Sequence, residues 1–404
     1  MPLILDVDTG IDDALALLYA CASPEAELVA VTCSAGNVDA ARVAENTRAV
    51  LELAGRPDVE VAIGREAPLA RPLETTPETH GPRGIGWAEL PAATMPLSSR
   101  PSPDLIVEEA RRRPGELVLV TLAPLTNVAL ALRLEPDLPR LLRRLVIMGG
   151  AYGVPGNTTP VSEWNVHVDP EAAQVVFRAW AGAVARSDAD ALAPGDEVDP
   201  AGRARDAERG PAVPLALGLD VTAAASRAPS VALPLALGLD VTAAASRAPS
   251  VALPLALGLD VTERARMLPD HVARLAEAAG CDGRVAEARV RSGDAGAPDN
   301  AVLRYVADSL RFYMEFHARY DGFYGAFVHD PFVVAIALDE SLVRAEPVTV
   351  DVETAGEIAC GQTIADWRHL WHRPANALVG VDADAETFLE RLIDRVGRLA
   401  RDRG

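Results

Sequence analysis

Seven short, nearly unbroken apolar runs punctuate the chain, at Leu3–Asp8, Leu28–Ser34, Val59–Gly64, Leu117–Ala123, Leu145–Gly149, Leu255–Val261 and Val348–Val352. A strand that is apolar on both sides has to be covered on both sides. Between the runs lie amphipathic stretches such as Ala40–Ala54 and Leu105–Arg112. Strand–helix alternation at this spacing predicts an α/β fold, a mostly parallel, Rossmann-like open sheet with helices on both faces. At 404 residues and 49% hydrophobic content the chain can bury a large core, and the reading is a single domain over 1–404.

One region breaks the alternation. "PLALGLDVTAAASRAPSVAL" occupies 214–233, recurs unchanged at 234–253, and its first nine residues return at 254–262. An old repeat array drifts, so two identical units and a fragment read as a recent tandem duplication rather than a solenoid. A strand position accepts one strand. The third copy is the expected occupant, because it runs into a helical stretch that Thr262 could cap. Residues 186–253 are therefore expected to be an inserted linker plus repeat without functional weight.

Composition narrows the chemistry. The formal net charge is -20 and every basic residue is arginine, so backbone binding to nucleic acid, which needs basic stripes, is not expected. No apolar run is long enough to cross a bilayer, which predicts no membrane partner. No basic leader precedes the first strand, and Cys21, Cys33, Cys281 and Cys360 show no CxxC spacing. Both features point to a cytoplasmic protein with reduced thiols.

The chemistry gathers at strand ends. "LILDVDTGIDDALALLYA" delivers Asp6, Asp8, Asp12 and Asp13 within eight positions. Asp6 and Asp8 share a strand face, Gly10 allows a tight turn, and Asp12 and Asp13 open a helix. Ligands of open α/β sheets bind beyond the carboxyl ends of strands, where these side chains emerge. The helix dipole offsets little of the repulsion among so many carboxylates. A hard cation, Ca²⁺ or Mg²⁺, offsets more, and an all-oxygen donor set suits it. "FVHDPFVVAIAL" adds His329 and Asp330 at a second helix start, since Pro331 favours the first helical turn. "GNTTPVSEWNVHVDPEAA" brings Asn157, Glu163, Trp164 and Asn165 into one loop, a mixture of donors, acceptors and an aromatic ring suited to a sugar. Asn37 ends the second strand.

Read together, these motifs resemble the inosine–uridine-preferring nucleoside hydrolases, which share an amino-terminal DxDPGxDDA signature. Asp6, Asp8, Gly10, Asp12, Asp13 and Ala14 match it, and Thr9 stands where the family has proline. "TLAPLTNVALAL", "VIMGGAY", "SEWNVHVDPEAA" and "VHDP" follow in the family's order, so the likeness covers roughly 1–180 and 254–400. The resemblance implies a Ca²⁺ held by Asp8, Asp13, Asp330 and the Leu122 carbonyl. It places Asp12, Asn37, Asn157, Glu163 and Asn165 on the ribose and 5′ end, and His80 on a loop that closes over the nucleoside. His329 would lie near the base and help to protonate it, with Tyr320 and Tyr324 lining the base pocket. The implied reaction is hydrolysis of the N-glycosidic bond to ribose and free base. Asp8 would be the general base toward a cation-activated water, and Asn165 would stabilise an oxocarbenium-like ring. The implied partner is a small ribonucleoside, and the implied assembly a homodimer or homotetramer.

Two other readings remain at this point. "LILDVDTG" also resembles the opening of haloacid-dehalogenase-like phosphatases, but Gly10 stands where they have Thr or Val, and the chain has no lysine to assist. The repeat insert could also have left a calcium- and nucleoside-binding pseudoenzyme.

Overall fold

The structure, a computed structural model, describes residues 1–192 (side chains through 187) and 251–404, Asp294 excepted. Met1–Ser187 and Ser250–Gly404 make up one compact unit. The expectations for 186–253 fall almost entirely outside the described residues.

In chain order the strands are β1 (Pro2–Val7), β2 (Glu27–Cys33), β3 (Glu60–Ile63), β4 (Val118–Thr121), β5 (Arg144–Met148) and β6 (Leu255–Leu257). There follow β7 (Arg266–Met267), β8 (Ala326–Phe327), β9 (Val343–Val348), β10 (Val350–Val352), β11 (Thr363–Ala365) and β12 (Ala377–Ala383). Among the described residues, eight strands form one sheet in the order β3-β2-β1-β4-β5-β6-β12-β9. All pairings are parallel except that of β12 with β9 at the edge. The fold is the expected α/β class.

Alternation along β1 shows why its run is apolar throughout. Leu3, Leu5 and Val7 enter one core, with helix α1 (Ile11–Ala22) and the helices Ala301–Tyr320, His329–Leu338 and Ala385–Asp402. Ile4 enters the other core, with the helices Ser102–Arg112, Thr126–Leu134 and Pro170–Leu192. A period of two on a sheet covered twice needs apolar residues at both parities. From β1 the chain steps to β2 and β3, then returns to β4 on the other side. The resulting crevice lies at the carboxyl ends of β1 and β4, beneath Asp8 and Leu122.

The third repeat copy holds the sheet position: Leu255 pairs with Val146 on one side and Leu378 on the other. The expected strand over 255–261 is shorter, however. It ends at Leu257, because Gly258 packs against the Gly150 carbonyl so closely that a Cβ would lie 2.5 Å from that oxygen. Leu259–Thr262 then form a helical turn, so Thr262 ends a helix instead of capping one. The expected strand at 348–352 is divided at Thr349, whose hydroxyl donates to the Arg373 carbonyl, 2.9 Å away, where the chain leaves the main sheet. Among the described residues no helix is long and apolar enough to cross a membrane.

Candidate active site

Asp13 organises the turn after β1. Its Oδ1 accepts the Asp8 amide at 3.1 Å and its Oδ2 the Gly10 amide at 2.8 Å, so its carboxylate alone closes the start of α1. Asp8 Oδ2 accepts the Asn37 amide at 2.8 Å, and Asn37 Nδ2 reaches Asp13 Oδ2 at 3.3 Å. Two glycines make this packing possible. A Cβ on Gly36 would lie 2.1 Å from Asp8 Oδ2, and one on Gly10 2.6 Å from Asn37 Nδ2. Thr9 is buried, with its hydroxyl 2.6 Å from that of Thr47, so a side-chain contact replaces the rigidity of the family's proline.

Asp12, Asp13 and Asp330 converge, with one oxygen from each within 4.8 Å of the others, and Asp8 adjoins them through Asp13. The expected ligand set is Asp8, Asp13, Asp330 and the Leu122 carbonyl; by spacing, Asp12 belongs to the same carboxylate cluster. All four are buried. Burial, then the neighbouring carboxylates, raises the pKa of Asp8, Asp12 and Asp330 well above the usual range, and burial lifts Asp13 to about 6. Asp6 turns elsewhere: its Oδ1 accepts from Thr32 at 2.7 Å and Asn127 at 2.8 Å, and burial pushes it to about 7. Asp8 Oδ1 and Asn37 Oδ1 are buried without a hydrogen-bond partner. Unpartnered buried oxygens beside clustered carboxylates fit a hard divalent cation, since unpaired buried charge is costly.

Above the cluster opens a cavity of about 530 Å³. Asp12, Asn37, His80, Leu122, Asn157, Glu163, Trp164, Asn165, Tyr320, His329 and Asp330, all expected site residues, line it. Asp8 and Asp13 lie just beneath. Tyr324 is the exception: its hydroxyl donates to the Val290 carbonyl at 2.6 Å, away from the lining.

Glu163 caps the short Trp164–Val168 helix, accepting the Asn165 amide at 2.9 Å and the Val166 amide at 3.2 Å. It also accepts the amide of Gly150 at 2.9 Å, a residue with a left-handed φ of 89°. Asn165 spends its amide group on the Leu122 carbonyl at 2.8 Å and the Met148 carbonyl at 3.3 Å, which leaves Oδ1 for the cavity. The hydrogen-bond network assigns the histidine tautomers. His80 Nδ1 accepts the Ile11 amide at 3.1 Å, so a neutral ring carries its proton on Nε2. Thr262 gives its hydroxyl proton to the Gly258 carbonyl and therefore accepts from His329 Nδ1–H at 2.9 Å. Burial lowers both pKa values to about 3, so the rings are neutral. Neutral His329 offers a lone pair, not a proton, and the protonating role expected of it does not follow from this arrangement.

Residues that the sequence reading missed complete the lining, notably Glu263, Tyr313, Phe316, His317, Asp321 and Phe327. Tyr313, His317 and Tyr320 recur at helical spacing on the Ala301–Tyr320 helix. That stripe of aromatic residues leading toward "VHDP" was the available signal.

Known proteins resemble this chain over nearly its whole length. The profile of the family described as inosine-uridine preferring nucleoside hydrolase matches residues 3–206 and 237–390. A pyrimidine-specific ribonucleoside hydrolase, RihA of Enterobacter sp. (strain 638), is 32% identical over 402 residues, covering 99% of each chain. Its counterpart from Shewanella sp. (strain ANA-3) is 31% identical over 395 residues, 97% of this chain and 95% of its own. Among solved structures, a purine-preferring ribonucleoside hydrolase from Gardnerella vaginalis superposes with a TM-score of 0.74 at 25% identity over the whole of both chains. Fold and relatives define a hydrolase of ribonucleosides. The chain belongs to the inosine-uridine preferring nucleoside hydrolase family.

Proposed function

We propose that the protein hydrolyses the N-glycosidic bond of ribonucleosides in a Ca²⁺-dependent reaction, with Asp8 as general base. The single observation carrying this is the buried, unpartnered Oδ1 of Asp8 beside the Asp12–Asp13–Asp330 cluster at the floor of the cavity. Asp8, Asp13, Asp330 and the Leu122 carbonyl would hold the ion, with Asp12 beside it. Bound there, the cation supplies positive charge that offsets the carboxylate field and acidifies water.

This chain's own groups supply the rest. Asp8 Oδ1 takes the proton from the attacking water, while the Asn37 amide holds Oδ2 in place. Asp12, Asn37, Asn157, Glu163 and Asn165 receive the ribose hydroxyls and Trp164 flanks them; hydroxyls can both donate and accept, and this wall offers both. Glu163 also keeps the Gly150 turn in shape. Asn165 Oδ1 faces the ring on which positive charge develops, a preorganised dipole of the kind that lowers such barriers. His80 directs Nε2–H into the cavity. The relatives that bear the name pyrimidine-specific make uridine and cytidine the first substrates to try.

Chelator-treated protein should release no ribose from uridine, cytidine, adenosine or inosine, and Ca²⁺ should restore release from at least one. No release from any of the four after Ca²⁺ addition sinks the proposal. Asp8→Asn should lower kcat at least about a hundredfold, the usual scale of losing a general base, with the far-UV circular dichroism spectrum retained.

A further inference from the structure

The cavity has two chemically distinct ends. One carries the carboxylates and amides described above. The other is a wall of rings: Tyr313 and His317 lie with centroids 4.6 Å apart, Phe316 and Tyr320 4.7 Å, His317 and Phe327 4.9 Å, and Phe327 and His329 5.7 Å. A polyol facing the first end puts its flat base against the second.

Beside that aromatic wall, Glu263, Asp321 and His329 offer lone pairs only, and the Tyr313 hydroxyl can donate or accept. The donor Nε2–H of His80 lies on the far side of Tyr313, whose ring is 5.3 Å from its own. His317 gives its Nδ1–H to Asp321 Oδ2 at 2.7 Å and takes the Phe327 amide on Nε2 at 3.4 Å, so it has no donor left for a ligand. His329 presents the bare Nε2 assigned through Thr262. Glu263 lines the cavity half-buried, and its carboxylate makes no hydrogen bond or ion pair among the described residues. Asp321 keeps a second carboxylate oxygen beside it. Tyr320, 57% exposed at the rim, can donate or accept.

From this we infer that the base end selects nucleobases presenting an exocyclic amino group, so that cytidine is cleaved in preference to uridine and adenosine in preference to inosine. The inference rests on the nucleoside-hydrolase reading above. An amino group donates to a carboxylate in a charge-assisted bond. A keto oxygen in the same place meets other lone pairs and leaves both sides unpaired, the situation in which sites discriminate strongly. The preference runs against the keto bases for which the family is named.

The test uses the full chain with Ca²⁺ and two matched pairs, cytidine with uridine and adenosine with inosine, with ribose release as readout. The amino partner should have the higher kcat/KM by about tenfold or more in each pair it turns over. Glu263→Gln, whose amide can donate to a carbonyl, should bring that ratio to about one or below. Calorimetry with free cytosine and free uracil should show tighter binding of cytosine, independently of turnover. Turnover of uridine or inosine equal to or faster than that of its amino partner overturns the inference, as does a ratio unchanged by Glu263→Gln. Absence of ribose from all four nucleosides instead sinks the hydrolase reading, and cytosine-against-uracil binding still decides base preference in that case.

Discussion

Gly36 shows how little freedom the acidic cluster leaves. It lies on the loop between β2 and Asn37, where only a hydrogen fits against Asp8 Oδ2. Gly36→Ala has to displace either Asp8 or the loop that carries Asn37. The expected result is loss of Ca²⁺-induced thermal stabilisation together with ribose release, read by a melting curve with and without the ion. An unchanged calcium shift would mean that the Asp8 side chain is not held where the hydrogen bond from Asn37 indicates. Thr9 is the contrasting case, since its hydroxyl faces Thr47 and not the carboxylates. Thr9→Pro should keep the calcium shift, because proline would lose that contact but preserve the Gly10 turn.

Among elements, the junction before the Pro170–Leu192 helix carries more than its own cap. Asp169 is fully buried; its Oδ1 accepts the Ala172 amide at 3.0 Å, while its Oδ2 takes the Thr126 hydroxyl at 2.6 Å and the Leu69 amide at 2.9 Å. One carboxylate thus ties this helix, the Thr126–Leu134 helix and the loop after β3. Asp169→Ala removes the cap and leaves the buried Thr126 hydroxyl and the half-buried Leu69 amide without this acceptor, a loss of about 2–4 kcal/mol. Urea unfolding checks this, and a change below about 1 kcal/mol would contradict it. The elements left unassigned by pattern reading have a common character. Strand β12 opens with the apolar run Ala377–Val381 and Ala385–Asp402 is an amphipathic helix with a charged outer face, so in both the signal stood in the sequence and went unassigned.

For the whole molecule, the clustered carboxylates couple stability to pH. Asp13 is raised to about 6 and Asp6 to about 7, so the folded state binds more protons than the unfolded state above the ordinary carboxylate range. These carboxylates give the chelated protein a contribution to stability that is full at low pH and falls as pH rises through about 4 to 7. His80 and His329 set the opposite trend, since their burial at a pKa of about 3 costs stability as pH drops below about 6.5. Ca²⁺ should flatten that fall, and melting temperatures across the range with chelator or ion will show whether it does. Removal of one 20-residue copy, 214–233, leaves the sequence before β6 unchanged. Ribose release by the shortened protein should stay within about twofold of the full chain, and a larger loss would give the repeat a role.

Sequence by itself determined the alternation of buried strands and helices, the placing of Asp8, Asp12, Asp13 and Asp330 at strand or helix ends, and the polar loop around Glu163 that lines the cavity. These are local properties, written in periodicity and in turn chemistry. Only tertiary structure decided that Asp12 joins the carboxylate cluster while Asp6 turns to Thr32 and Asn127, and that Tyr324 faces Val290. The same holds for His317 and Glu263, which reach the cavity from segments remote from the strand ends. Such facts depend on which side chains distant segments bring together, and in particular on which neighbour takes each hydrogen bond. No single stretch of this chain encodes that pairing.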